Sequence, residues 1–229
     1  MIACVPWGEW IRGVEVEPSL YGADLAHLGD QVCALLDAGC RVFHFDVGDG
    51  HFVEPITMGP IVLQAISPIV HDGGGALDVH LMVERPAKYF GAVAEAGGDS
   101  VTFHFEAVDD VPATIAAARE CGLQAGVALN PETAPEAVAA VAGDADVVLC
   151  MSIHPGYSGQ PFQESAFDRV RLLRALLPDR IHVQVDGGVG PTNVERLRRE
   201  GATLLVAASS IFRAGDPPEA YRQLVELAR

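Results

Sequence analysis

From about residue 14 to the C-terminus, short β-type runs alternate with helical patterns, and this alternation restricts the chain to a parallel α/β architecture. The runs that read as strands are Val14–Pro18, Arg41–Val47, Ala76–Met82, Ser100–Phe105, Gln124–Leu129, Asp146–Ser152, Ile181–Asp186 and Thr203–Ala207. Between them lie amphipathic segments: Leu25, Leu28, Val32, Leu35 and Leu36; then Phe167, Val170, Leu173 and Leu176; and finally Ala220, Leu224 and Leu227 as an eighth helix. Eight βα units with short connections predict a closed (β/α)₈ TIM barrel as a single domain over residues 14–229. A doubly wound open sheet is the alternative, but the lack of a GxGxxG turn favours closure. Residues 1–13, with Trp7 and Trp10, form an N-terminal extension that caps the barrel bottom or covers a partner.

Several strands break the rule that a parallel strand buried on both faces is almost continuously apolar. His44 and Asp46 share one face of the second strand; Asp78, His80 and Met82 alternate in the third, and Thr102, His104 and Glu106 in the fourth. His182, Gln184 and Asp186 do the same in the seventh. An unpartnered buried polar group costs about 2–7 kcal/mol, so these inward groups need ligands or one another. In a barrel the inward set converges on the axis, and the C-terminal strand ends carry the active site. His44, Asp46, His80 and Asp186 all fall at such ends. Two imidazoles and two carboxylates suit Zn²⁺, Fe²⁺, Mn²⁺ or Co²⁺. His27 and His71 read as surface residues, His182 as a lower-layer residue, and His51 and His104 as weaker candidates for supporting roles.

Three loops at the same end are rich in small residues: Met151–Phe162, then the DGGVGPTN segment from Asp186, then the AASSIF segment from Ala207. Glycine lets backbone N–H groups approach an anion, and barrel enzymes often hold phosphate after strands seven and eight. The formal charge of −16 and pI near 4.7 argue against binding nucleic acid. An anionic substrate must then be held by local devices. No stretch is apolar for long enough to cross a membrane, no secretory pattern opens the chain, and the five cysteines show no CxxC spacing. A cytoplasmic protein is expected.

The segments HFDVGDGHFVEPITMGP, LDVHLMVERP, VTFHFEA, GVALNPET, MSIHPGYSGQPF and VQVDGGVGP resemble the ribulose-phosphate 3-epimerase family, in register from about Pro18 to Phe212. The resemblance implies a barrel of the ribulose-phosphate-binding type with one divalent metal ion per subunit, held by His44, Asp46, His80 and Asp186. It makes Asp46 and Asp186 the acid/base pair on opposite faces of a small phosphorylated ketose. It assigns substrate contacts to Ser19 and His80, and phosphate contacts to Gly156, Tyr157, Ser158, Gly159, Gly187, Gly188, Ala208 and Ser209. The implied reaction is C3 epimerisation of the D-ribulose 5-phosphate to D-xylulose 5-phosphate type, through a metal-stabilised enediolate. A hexulose phosphate such as allulose 6-phosphate is the alternative substrate, and a homo-oligomer is left open. The chain departs from the family at Gly48 (methionine is usual), at Ser158 and Ala208 (glycine is usual), and at Tyr21 and Gly22. Loss of a side chain at Gly48 is expected to enlarge the pocket beside the reacting carbons.

Rival chemistries fare worse. A Schiff-base aldolase needs an inward lysine, and the sole lysine, Lys88, follows Arg85-Pro86 at a helix start. The aspartate–lysine array of orotidine-phosphate-type decarboxylases is absent. A metal-dependent hydrolase conflicts with the phosphate loops and paired bases, and a non-catalytic sugar-phosphate sensor conflicts with an intact acid/base pair.

Overall fold

The structure is a computed structural model that describes residues 7–11, 13–157 and 159–229. Its strands are β1 (Glu15–Pro18), β2 (Val42–Gly48), β3 (Ala76–Met82), β4 (Ser100–His104), β5 (Gln124–Leu129), β6 (Val147–Met151), β7 (His182–Asp186) and β8 (Leu204–Ala207). The sequence-based boundaries differ from these by no more than one residue at either end. The helices are α1 (Trp7–Trp10), α2 (Leu28–Asp37), α3 (Pro60–Asp72), α4 (Phe90–Glu95), α5 (Val111–Glu120), α6 (Pro135–Ala139), α7 (Ser165–Leu176), α8 (Val194–Arg199), α9 (Ser209–Phe212) and α10 (Pro217–Leu227). Local chemistry fixes several starts. Asp110 and Asp216 accept N–H bonds from Ala113 and Glu219, each at 3.0 Å, and a proline follows in the first turn.

All eight strands are parallel neighbours in the order β1-β8-β7-β6-β5-β4-β3-β2. The two edges meet through a parallel bridge between Ser19, one residue past β1, and His44 in β2. The sheet therefore closes, which disposes of the open doubly wound alternative. Phe43, Phe45, Leu77, Val79, Val101 and Phe103 point outward into the helix layer, with Phe90 among their partners. The intervening residues fill the barrel. Where two inward side chains compete for space, one strand yields: a Cβ on Gly126 would collide with Thr102 and Val147.

The outer helices turn their apolar stripes slightly differently from the sequence reading. In α7 the buried residues are Ala166, Phe167, Val170 and Leu173, continued by Leu177, while Leu176 is 45% exposed. In α10 and just beyond it, Tyr221, Leu224 and Ala228 are buried, while Leu227 is 42% exposed. Spacing of three and then four keeps one face of a 3.6-residue helix on the barrel, so the stripe passes to the neighbouring residue at the last turn.

The described part of the extension, with Trp7 and Trp10, packs against the barrel bottom. Trp7 and Trp10 are buried edge to face, with centroids 4.6 Å apart, in a cluster with Val42, Ala76, Val147 and Leu204 at the strand starts. The Trp7 backbone N–H donates to Gln124 Oε1 at 2.8 Å. Trp10→Ala is expected to lower the unfolding free energy by about 3–5 kcal/mol, the usual cost of removing a buried indole; denaturant titration checks this. A loss within 0.5 kcal/mol, about that of an exposed substitution, would mean the cluster is not a plug.

Candidate active site

Four inward side chains at the C-terminal strand ends converge as their alternation requires. One ligand atom from each of His44, Asp46, His80 and Asp186 lies within 4.8 Å of all the others. His44 and Asp46 come from β2, His80 from β3 opposite Asp46, and Asp186 from the end of β7. His80 Nδ1 is 3.0 Å from Asp46 Oδ1 and 4.0 Å from Asp186 Oδ2, and His44 Nε2 is 3.3 Å from Asp46 Oδ1. His44 Nε2 is buried without a hydrogen-bond partner. A nitrogen lone pair stranded beside two carboxylates fits a divalent cation, because cation binding satisfies it and offsets the negative charge together.

Each ligand is held by a group behind it. His44 Nδ1 is 3.0 Å from Asp78 Oδ2 and 3.8 Å from Glu17 Oε2. That carboxylate–imidazole pairing places the proton on Nδ1 and turns Nε2 toward the cluster. Asp78 also accepts from Ser100 Oγ at 2.7 Å and Gln184 Nε2 at 2.8 Å, and the same Gln184 nitrogen lies 2.6 Å from Glu17 Oε2. Ser19 donates its hydroxyl to Asp46 Oδ2 at 2.6 Å. Ser152 holds the Asp186 carbonyl with its backbone N–H and its hydroxyl, each at 2.8 Å.

The two aspartates are driven apart in proton affinity. Burial raises the Asp46 carboxyl, but His44 and His80 outweigh it and hold Asp46 well below the usual carboxylate range. Burial pushes Asp186 up to about 7, with help from the Asp46 charge. Paired groups whose environments separate their proton affinities form a working acid/base pair. Deeper in the barrel, burial also raises Glu17 to about 7.

Above the cluster lies a pocket whose lining includes Gly156, Tyr157 and Gly159 after β6, Gly187 and Gly188 after β7, and Ala208 and Ser209 after β8. Ser158, also expected there, lies outside the described residues. Gly156, Gly159, Gly187 and Gly188 all have positive φ, from 63° to 115°, a backbone state that favours glycine. Asn193 pins the turn after β7 by accepting from Gly190 N–H at 2.9 Å and donating to Gly188 O at 3.0 Å. Ser19, Tyr21, Asp46, Asp186, Met82 and Met151 form the wall toward the cluster, with His44 and His80 fully buried beneath.

Gly48 requires a correction. A Cβ there would sit 2.8 Å from Pro55 O and 3.0 Å from Val53 Cγ2. The space is therefore filled by the loop after β2 and does not enlarge the pocket. The Thr57 hydroxyl fastens this loop by accepting from Gly48 N–H at 2.6 Å and donating to Asp46 O at 2.7 Å.

The other histidines separate clearly. His27 is exposed against Asp24, His71 is half-buried against Asp99, and His182 is half-buried at the start of β7. His51 is exposed and bonds the Asp49 carbonyl. His104 is fully buried with Nε2 2.9 Å from His80 Nε2, so it touches a candidate ligand directly. Asp78, Gln184 and Glu106 showed in the sequence only as inward alternates; Glu17 gave no sign beyond being a charge inside the short run Val14–Pro18. Lys88 is exposed over the Tyr89 ring, in the turn Pro86–Tyr89 and not on a strand. A wider cleft at the opposite end, bounded by Trp7, Arg119 and His182, contains no metal-ligating cluster among the described residues.

The pattern of the Ribulose-phosphate 3 epimerase family matches residues 15–212. The chain is 37% identical over 225 residues to ribulose-phosphate 3-epimerase 2 of Cupriavidus necator, covering 95% of this chain and 92% of that one. It is 36% identical to ribulose-phosphate 3-epimerase of Bacillus subtilis, covering 92% and 98% respectively. Among solved structures, 3-hexulose-6-phosphate synthase from Salmonella typhimurium superposes with TM-score 0.72 at 15% identity, over 94% of this chain and 98% of that one. Orotidine 5'-phosphate decarboxylase from Pyrococcus horikoshii OT3 gives 0.69 at 14%, over 93% and 99%. These structural likenesses speak for the barrel alone.

The raised Glu17 carboxyl has a measurable consequence. Its folded value of about 7 exceeds the ordinary 4.5. The stability it contributes is therefore complete below the unfolded value and is lost as pH rises through the folded one. Glu17→Gln is expected to flatten this part of the profile, so unfolding of the metal-free chain between pH 5 and pH 8 becomes less pH-dependent than in the parent. Equal slopes in denaturant titrations would count against a protonated Glu17.

Proposed function

The chain belongs to the ribulose-phosphate 3-epimerase family, isomerases that act on sugar phosphates, and from that premise we propose that it interconverts D-ribulose 5-phosphate and D-xylulose 5-phosphate by a two-base proton transfer at C3. The observation that carries the reading is the pairing of Asp46, held ionised, with Asp186, whose carboxyl is raised to about 7, over two histidines and under a glycine-rich cup. In one direction Asp46 removes the C3 proton and Asp186 returns a proton to the opposite face; the reverse reaction exchanges their roles. Ser19, bonded to Asp46 Oδ2, aims that carboxylate. The backbone amides around Gly187, Gly188 and Ser209 anchor the phosphate, and this remote binding energy positions the reacting carbon. Met82 and Met151 supply a dry, polarisable lining.

His44, Asp46, His80 and Asp186 would hold one divalent ion, of Zn, Fe(II), Mn or Co type. When bound, it supplies Lewis acidity toward the negative charge left on the substrate by loss of the proton. Nothing at Gly48 now favours a larger sugar, because the loop after β2 occupies the space that a missing side chain would leave.

The test is a panel of 2-ketose phosphates in D₂O followed by NMR. Deuterium is expected at C3 of D-ribulose 5-phosphate together with appearance of D-xylulose 5-phosphate. Exchange confined to hexulose phosphates would transfer the assignment to the larger sugar, and exchange with none would support a sensor. Asp46→Asn and Asp186→Asn are each expected to lower kcat by about 10²–10⁴-fold, the usual contribution of a positioned acid or base. Turnover within a few-fold of the parent in either variant would remove the two-base mechanism.

A further inference from the structure

His80 meets a second imidazole, and the contact is informative about where its proton sits. His80 Nε2 and His104 Nε2 are 2.9 Å apart, and both rings are fully buried. Two nitrogens at this distance need one proton between them: two bare lone pairs repel, and two N–H groups collide. Beyond this contact, His104 Nδ1 faces Glu106 Oε2 at 3.3 Å. The other Glu106 oxygen is already engaged, accepting from the Asn130 N–H at 2.9 Å and from the Thr133 hydroxyl. Phe52 packs against the His104 ring with centroids 4.7 Å apart.

Only two arrangements of neutral rings are available. In one, His104 donates to His80. Then His104 Nδ1 is bare against the Glu106 carboxylate, and His80 Nδ1 carries a proton into the cluster. In the other, His80 Nε2–H donates to His104 Nε2, and His104 Nδ1–H donates to Glu106. This second arrangement satisfies Glu106 and leaves a lone pair on His80 Nδ1, 3.0 Å from Asp46 Oδ1, a contact that a cation shared by the two would relieve.

We propose that Glu106 and His104 are positioning residues that impose the second arrangement, holding His80 as a ligand through Nδ1 and thereby setting the affinity of the cluster for a divalent cation. The inference rests on reading His44, Asp46, His80 and Asp186 as a metal site. It gives His80 a carboxylate-backed support of its own, one imidazole longer than the Asp78 contact behind His44. Outer partners of ligating histidines fix tautomer and ring orientation, and their loss typically weakens metal binding about 10–100-fold.

The test uses the full chain, stripped of metal and titrated with Zn²⁺ by calorimetry, together with ¹⁵N NMR of the histidine rings in the Zn²⁺-loaded form. The spectrum is expected to show His80 protonated at Nε2 and His104 at Nδ1. Glu106→Gln should weaken Zn²⁺ binding about tenfold and His104→Leu about 10–100-fold. His104→Gln, which keeps a carbonyl acceptor for His80, should retain more affinity than His104→Leu. Should His104→Leu fail to fold, Glu106→Gln decides alone, since its side chain is 24% exposed at the rim. Affinities within twofold of the parent, or His80 protonated at Nδ1 in the loaded form, would overturn the proposal. A parent chain that binds no Zn²⁺ would instead overturn the metal reading on which it rests.

Discussion

A barrel axis lined with histidines and carboxylates is stable only if every one of those groups finds a partner, and here the pairing starts at Asp46. One of its oxygens takes the Ser19 hydroxyl, while the other faces His80 and His44. Ser19 also makes the bridge to His44 that closes the sheet. Closure and site assembly thus depend on the same few residues. The residual imbalance, a buried His44 nitrogen without a partner beside two carboxylates, is what a divalent cation would resolve.

The interior is organised in depth. Trp7 and Trp10 pack across the bottom against Val42, Ala76, Val147 and Leu204. Above them Glu17, Asp78, Ser100 and Gln184 form a hydrogen-bonded layer that orients His44. The next layer is the four-residue cluster, and over it the glycines after β6 and β7 expose backbone toward the pocket. Charge is thereby confined to the axis, where low dielectric strengthens each contact, while the outer faces of the strands remain wholly apolar. The loops add a roof: Gly156 lies against Val53 and Pro55, and the Tyr157 hydroxyl donates to Glu54 at 3.4 Å.

The same barrel supports other chemistries. The synthase and decarboxylase structures that superpose on this chain do so at 14–15% identity, so the scaffold is shared while the strand-end side chains are not implied to be. Function resides in those side chains. Lys88, which a Schiff-base enzyme would need inside, lies exposed on Tyr89 instead.

Sequence by itself determined the barrel, its strand limits and the four converging residues, because period-two alternation in a buried strand leaves polar side chains only one destination. It also marked the glycine-rich turns, since a positive φ restricts the residue type. Tertiary structure alone decided the rest. The alternation put His104 on the inner face, but only the pairing of β3 with β4 and the ring orientations bring it against His80. Glu17 looked like an ordinary charge in a short strand until closure placed it behind His44. Gly48 suggested an empty space, and the loop that fills it is anchored by Thr57 through hydrogen bonds that span nine and eleven residues. Periodicity reports which face a residue occupies; neighbours on that face are set by register, closure and loop path, which no local pattern encodes.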